Sequence, residues 1–425
     1  MKNTPTFFLA ATFLLAPLFI GQAAEPAPTQ LPRTQFLQDQ PWPDDKGIHI
    51  NAHAGGVMFH DGVYYWFGES YADKKNPAPQ QTGVHCYSSK DLLNWKDEGV
   101  VLGRVKDPKS DITEGSLIER PKVIYNAKTG KFVMWFHLEL SGQGYRAARS
   151  GVAVSDTPTG PYTYLHSERP DAGVWPLNVT EKQKEGGNDA ETLKKMTFVG
   201  GPNAETPKHN ILVRDFPGGQ MARDMNLFVD EDGKAYHVFS SEENSTLHIS
   251  QLSDDYLSHS GKWIRIFEHR WNEAPALFKH DGKYWLISSG CSDWDPNTAR
   301  LAVADSILGS WKELPNPLTD GTLPKATPRT TIEQWKKLGQ PSVGGDGKNN
   351  LGAGKTFGGQ STCVLPIQGK PGAFIAMFDI WRPKDQTTSA YVWLPVVFEG
   401  KNGNSLSIPW RNGWDLSVFD KSQGQ

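Results

Sequence analysis

The sequence predicts an all-β fold, a five-bladed β-propeller, on three observations. A hairpin motif recurs five times along the chain, a second strand–turn motif alternates with it, and long helical periodicity is nearly absent. Two hairpins per unit make a four-stranded sheet, and five such sheets placed radially protect their own strand edges. A β-sandwich would not produce a paired, alternating signature.

The 425-residue chain opens with MKNTPTFFLAATFLLAPLFIGQAAEPAPTQ. Lys2 gives a positive start, Phe7 to Ile20 an apolar run, and Gly21-Gln22-Ala23 a small-x-small cleavage site. Residues 1–23 therefore read as a secretory signal peptide, too short and too poorly flanked to be a stable membrane span. The mature protein is expected to be secreted or periplasmic. Residues 24–40 are expected to form a flexible tail, and residues 41–420 a single propeller domain.

The hairpins follow in order: MFHDGVYYWFGE (Met58–Glu69), IYNAKTGKFVMWFH (Ile124–His137), LFVDEDGKAYHVFSSE (Leu227–Glu242), LFKHDGKYWLISSG (Leu277–Gly290) and a degenerate PIQGKPGAFIAMFDIW (Pro366–Trp381). In each, a strand runs into a turn centred on Gly, which tolerates positive φ, and an aromatic-rich strand leaves it. Between them lie HCYSSKDLLNWKDEG, VAVSDTPTGPYTYL, ISQLSDDYLSHSGKW and LAVADSILGSWKEL, each a strand, a Ser/Asp pair and a turn closing on an aromatic. Two segments break the pattern, Ser167–Pro217 and Pro315–Lys355. They are expected to be long loop insertions over the propeller mouth, with a helical stretch only at Thr331–Leu338.

A net charge of −3 excludes a strong electrostatic case for nucleic acid or an anionic membrane. The three cysteines, Cys86, Cys291 and Cys363, allow at most one disulfide and have no zinc spacing. No cofactor is called for by the chemistry below, and no metal ligand set stands out; a structural cation in the central channel is left open. The 15 Trp residues mostly suit a β core, but in an exported, weakly charged protein some are expected to stack on sugar faces. The partner expected is a carbohydrate, and the protein a monomer.

Most acids lie in turns such as Asp230-Glu231-Asp232-Gly233, where solvation explains them. Four do not. Glu69 ends a strand in YYWFGES, while Glu119 (IERPKVIY), Asp224 (ARDMNLFV) and Glu273 (WNEAPALF) each precede an apolar strand and a hairpin turn. One strand-end charge ordinarily faces solvent. Three at one register, where the innermost strands of a propeller start around its axis, converge on a pocket. Converging acids push their pKa values apart and keep one protonated near neutral pH. Glycoside hydrolysis needs that arrangement: an acid for the leaving oxygen and a base for water.

The stretches HAGGVMFHDGVYYWFGE, ERPKVIYN, RDMNLFVDEDGKAY, SSEEN, NEAPALFK, SSGCSDWDPN, TFGGQST and YVWLPVVF together resemble glycoside hydrolase family 43, a five-bladed family of inverting enzymes. The resemblance runs from Asn51 to Leu416 and is tightest to the branch of exo-β-1,3-galactanases. It implies Glu273 as general acid, Asp224 as the residue that orients it and raises its pKa, and Glu69 and Glu119 as substrate-binding acids. Tyr145, Glu243, Asn244 and Trp294 are implied as further sugar contacts. One departure matters. The family's usual base, an Asp shortly before the first hairpin turn, is missing from INAHAGGVMFHDG, where Ala54 stands about where it would be. The galactanase branch shares that absence, and there Gln360 of FGGQST is implied to hold or activate the attacking water, with Glu119 the other candidate base.

The function implied is exo-acting, inverting release of sugars from arabinogalactan-type chains, first of all β-1,3-linked galactose. An α-L-arabinofuranosidase or β-galactofuranosidase remains open within the family, and a catalytically inactive carbohydrate-binding propeller outside it. Glu273 and Asp224 together argue against the last, since a lectin needs no proton donor.

Overall fold

Each predicted hairpin forms an antiparallel strand pair and opens a sheet in the computed structural model, which describes residues 1, 32–38, 41–72, 81–185, 210–320, 351–383, 385–400 and 403–423. Nearly all of the expected signal peptide, residues 186–209 of the first insertion and residues 321–350 of the second, with the Thr331–Leu338 helix, lie outside the described residues. The first sheet has β2 (His53–His60), β3 (Val63–Tyr71), β4 (Gln81–Ser89) and β5 (Lys96–Gly103), after a short β1 (Phe36–Leu37). The second has β6 (Leu117–Asn126), β7 (Lys131–Glu139), β8 (Arg149–Ser155) and β9 (Thr163–Glu168). The third has β10 (Met225–Val229), β11 (Ala235–Ser241), β12 (Thr246–Leu252) and β13 (His259–Ile266). The fourth has β14 (Asn272–His280), β15 (Lys283–Gly290), β16 (Arg300–Ala304) and β17 (Lys312–Leu314). After β18 (Leu318–Thr319) comes a three-stranded sheet of β19 (Gln360–Pro366), β20 (Phe374–Ile380) and β21 (Ala390–Pro395). Among the described residues helix is confined to short pieces such as α1 (Glu181–Lys184) and α2 (Ile211–Asp215).

The expected count of five sheets is corrected to six of three or more strands among the described residues. The sixth joins β18 to β22 (Val397–Glu399) and β23 (Ser405–Pro409), with β18 parallel to β23. It was not legible as a repeat because its β22–β23 hairpin, though it carries Gly400 and Gly403 between the strands, leaves on SLSIP without an aromatic, and because the sheet draws strands from two distant segments. It packs beside β21, whereas β2, β6, β10, β14 and β19 pack against one another in turn, with β19 returning to β2.

Of the tail expected to be flexible over 24–40, the described residues 32–38 are instead held to the fold. Phe36 is fully buried, β1 pairs antiparallel with β24 (Gly413–Trp414), and the Phe36 ring stacks on Trp414 at 4.5 Å. This pairing ties the two ends of the folded unit Pro32–Gln425 together. Most tryptophans fill the spaces between sheets. Trp66, Trp95 and Trp393 cluster with Trp42, and Trp285 packs with Phe278 and Phe378 between the fourth sheet and the β19–β21 sheet. No disulfide joins Cys86, Cys291 and Cys363.

One local device, repeated, aims the inner strands. In β2, β6 and β14 the pairing slips by one residue, between His53 and Gly56, Glu119 and Lys122, and Glu273 and Ala276. The extra residue makes a β-bulge, which bends the strand and re-aims the side chain before it. At each bulge one residue takes a left-handed φ: Ala54 (49°), Arg120 (51°) and Ala274 (53°). Glu119 and Glu273 are therefore equivalent positions in their sheets, and the equivalent in the first sheet is His53. Asp224 sits just ahead of β10, its carbonyl accepting from the Ser240 N–H at 2.9 Å.

Candidate active site

The bulged strand starts open on one cavity of about 340 Å³. Glu69, Glu119, Tyr145, Asp224, Asn244, Glu273, Trp294 and Gln360 all line it, as the sequence predicts, together with Tyr71, Arg120, His137, Arg223, Asp293 and Trp381, which it did not single out. Glu243 is the exception among the predicted contacts. It lies behind the cavity, where its carboxylate pairs with Arg214 of α2 at 3.0 Å and with Arg223 at 3.1 Å.

Glu273 holds its proton to high pH. Burial first, and the Asp224 charge second, push its pKa up to about 8, while the Asn244 amide donates to its Oε1 at 2.7 Å. Asp224 is fixed on two sides: Oδ1 pairs with Arg120 Nε at 2.9 Å, and Oδ2 accepts from the backbone N–H of Ala274 at 3.0 Å. The residue following the acid thus tethers the carboxylate that tunes it.

Across the cavity stand two carboxylates in opposite states. Glu69 is buried and raised, by desolvation first and then by the Glu119 charge, and it accepts from the Tyr71 hydroxyl. Glu119 is lowered despite burial, because His137 Nδ1 lies 3.0 Å from its Oε2 and the Tyr145 hydroxyl donates to its Oε1 at 2.6 Å. His137 in turn meets Glu139 at 2.9 Å, and although burial alone would lower its pKa, these two acids raise it to about 9. Near neutral pH the pair is a protonated Glu69 and an ionised Glu119.

Gln360, at the start of β19, is gripped from three directions. Its Oε1 accepts from Arg120 Nη2 at 2.6 Å and from Trp381 Nε1 at 3.0 Å, and its Nε2 donates to Ser289 Oγ at 3.1 Å. Arg and Trp side chains can only donate, so the oxygen end of the amide must face them. One N–H remains to point elsewhere. Trp381 also meets Trp294 edge-on, with ring centroids 5.5 Å apart, and Trp294, 40% exposed, forms an aromatic wall at the rim.

Ala54 does not simply leave a gap. Its N–H donates to Asp379, a buried carboxylate of β20 that stands opposite Gln360 in the strand pairing and is pushed up to about 7 by burial. Its carbonyl accepts at 2.9 Å from Lys122, whose buried ammonium also reaches the Arg120 carbonyl and is lowered to about 7, chiefly by desolvation. A Cβ at position 56 would fall 2.6 Å from the Lys122 side chain, so Gly56 is what lets the lysine pass. Among the described residues no His/Cys/Asp/Glu cluster could hold a metal ion. Arg120, Arg223 and Trp381 were legible only as parts of longer motifs, since a basic or aromatic residue at a strand start carries no signal of its own.

Residues 194–343 match the family model for glycosyl hydrolases family 43. A family 43 β-1,3-galactosidase solved with galactodeoxynojirimycin is 48% identical, over 89% of this chain and 100% of that one, with a TM-score of 0.75. An exo-β-1,3-galactanase from Clostridium thermocellum is 32% identical, over 89% of this chain and 66% of its own, with a TM-score of 0.66. An exo-β-1,3-galactanase from Phanerochaete chrysosporium, solved with galactose, is 27% identical over 90% and 69% of the two chains, with a TM-score of 0.65. A β-D-galactofuranosidase from Aspergillus niger is 22% identical over 262 residues, and the match spans 62% of that protein's length.

Proposed function

Because this chain belongs to glycoside hydrolase family 43, we propose that it is an exo-acting, inverting β-1,3-galactosidase that shortens arabinogalactan-type chains from their non-reducing ends. The observation that carries the reading is the pairing of states in one cavity: a Glu273 that keeps its proton near neutral pH and a Glu119 that does not. The cavity, about 340 Å³, lies at the small end of the roughly 300–1,000 Å³ common for ligand pockets, which suits a terminal sugar. The solved relatives include a β-1,3-galactosidase and an exo-β-1,3-galactanase, in agreement with it.

In this scheme Glu273 protonates the departing glycosidic oxygen. Gln360 holds the attacking water through its free amide N–H, and Glu119 accepts the proton that the water gives up. Trp294 and Trp381 stack on the sugar, and Glu69, Tyr145 and Asn244 bind its hydroxyls or hold the acids. The mature protein is read as secreted or periplasmic, working as a monomer without a cofactor.

The test is hydrolysis of nitrophenyl glycosides and of β-1,3-galactan, with product analysis. Release of galactose from both β-galactosyl substrates is expected. Preference for an α-L-arabinofuranoside or a β-galactofuranoside would move the activity within the family, and sugar binding without turnover would replace it with a lectin.

A further inference from the structure

We propose that Arg223 is a positioning residue for the general acid: by fixing the Asn244 amide, it keeps the transferable proton of Glu273 on Oε2. The proposal rests on the reading of Glu273 as the acid.

Asn244 reaches the cavity from an unusual turn between β11 and β12. Glu242, Glu243 and Asn244 all have left-handed φ, at 51°, 58° and 65°. A buried ion pair anchors the turn, with Glu242 accepting from Arg265 at 2.6 and 2.8 Å and from His248 Nε2 at 3.0 Å. The backbone is thus fixed, but a side-chain amide can still rotate end for end, and its two ends have opposite hydrogen-bonding character.

Arg223 removes that freedom. Its Nη1 donates to Asn244 Oδ1 at 3.2 Å, and a guanidinium cannot accept, so the amide nitrogen must face Glu273. That nitrogen donates to Glu273 Oε1 at 2.7 Å, and an oxygen already receiving an N–H is the carbonyl oxygen of the protonated acid. Asp224 and Arg120 act on the same carboxyl by charge and the Cys291 thiol by a weak hydrogen bond, so the stronger amide contact decides and the proton is left on Oε2. With the amide reversed, its oxygen would accept the acid proton and hold it against the protein. Arg223 cannot swing away, because Nη2 also donates to the Tyr145 carbonyl at 2.6 Å and to Glu243 at 3.1 Å.

The experiment compares two leaving groups on the full mature enzyme. β-1,3-Galactobiose needs protonation to leave, whereas 2,4-dinitrophenyl β-galactoside does not. General acid catalysis contributes about 10²–10⁴-fold, so Arg223→Met should lower kcat on galactobiose by about 10²-fold and leave the activated substrate within about threefold. Its basic pH limb should also move, while Arg223→Lys recovers part of the loss by restoring a donor. Equal losses on both substrates, or none on galactobiose, would overturn the proposal. If Arg223→Met does not fold, Asn244→Ala must lose more turnover on galactobiose than on the activated substrate, and equal losses would overturn the proposal. If both fold, the double variant must lose no more than either single one, and additive losses would also overturn it. Wild-type turnover of galactobiose, and its abolition in Glu273→Gln, are measured first. Failure there would refute the underlying function or the acid assignment, and the leaving-group comparison would be made on the linkage the enzyme does cleave.

Discussion

Arg120 donates to the side-chain oxygen of Gln360 at 2.6 Å, which fixes the face that the amide turns to the cavity. With Trp381 on the same oxygen, an imidic tautomer would have to place its hydroxyl proton against two donors. In the proposed scheme Gln360 therefore serves as an N–H donor that holds the water. Gln360→Ala should cut kcat on galactan by about 10²-fold or more, the scale of a lost positioning contact. Gln360→Glu should be no better near neutral pH, because its carboxylate would pair with Arg120 and offer no N–H. Activity of Gln360→Glu near wild type would show instead that this position accepts a proton.

Glu273 should set the basic limb of the pH–rate profile. An acid raised to about 8 is protonated below that pH and lost as a donor above it, so kcat/KM should fall as pH rises through about 8. Asp224→Asn removes the negative charge that disfavours ionisation of Glu273 and leaves the Arg120 cation beside it. Both changes favour the carboxylate, so the limb should move to lower pH. Glu273→Gln should abolish galactan hydrolysis and keep galactose binding, read by calorimetry. A limb that stays put in Asp224→Asn, with activity intact, would refute the tuning role.

The acids of the site were legible in the sequence and their partners were not, for a physical reason. A carboxylate before an apolar strand conflicts with its surroundings, so Glu119, Asp224 and Glu273 stand out in a single chain. Arg120, His137 and Arg223 resolve that conflict, but the pairing is visible only once three sheets meet. The bulges at Ala54, Arg120 and Ala274 were equally hidden, because none of these residues is a Gly and left-handed φ leaves no trace in composition. Phe36 shows the same limit at fold level: a two-residue strand has no periodicity to detect, and only its pairing with Trp414 reveals it.

His137 links the site to stability. Held between Glu119 and Glu139, its pKa is raised to about 9 from an unfolded value near 6.5. A raised pKa gives stability that is fully present below about 6.5 and lost as pH climbs through about 9. Tm of the wild type should therefore exceed that of His137→Gln by most at pH 6 and by least at pH 9.5. A gap that is constant across this range would mean that the imidazole stays neutral.

Trp294 should affect binding more than chemistry. It is the exposed half of an edge-on pair whose buried half, Trp381, is tied to Gln360. Trp294→Ala should raise KM for β-1,3-galactan about tenfold, equivalent to about 1.4 kcal/mol, with kcat changed little. Trp381→Phe keeps a ring but removes the N–H to Gln360, so its loss should fall on kcat. If both variants change only KM, Trp381 does not help to hold the amide.

The last expectation separates Glu119 from Gln360 as acceptor of the water's proton. Glu119 is an ionised carboxylate of the cavity, held low by His137 and Tyr145, whereas Asp224 is tied up by Arg120 and the Ala274 N–H. If Glu119 accepts the proton, Glu119→Gln should be at least as damaging as Gln360→Ala, and azide, which needs no deprotonation, should rescue it and give an α-galactosyl azide. Azide should not rescue Glu273→Gln on galactobiose, because the leaving group would still lack its proton. The stereochemistry binds these outcomes together. Water held opposite the leaving group inverts the anomeric carbon, and inverting sites keep their two groups roughly 6.5–9.5 Å apart to admit it. Proton NMR of the first product should then show α-galactose from a β-linked substrate. A β-anomer formed first would mean that a covalent intermediate intervenes, and neither Glu119 nor Gln360 could then be the group that activates the first nucleophile.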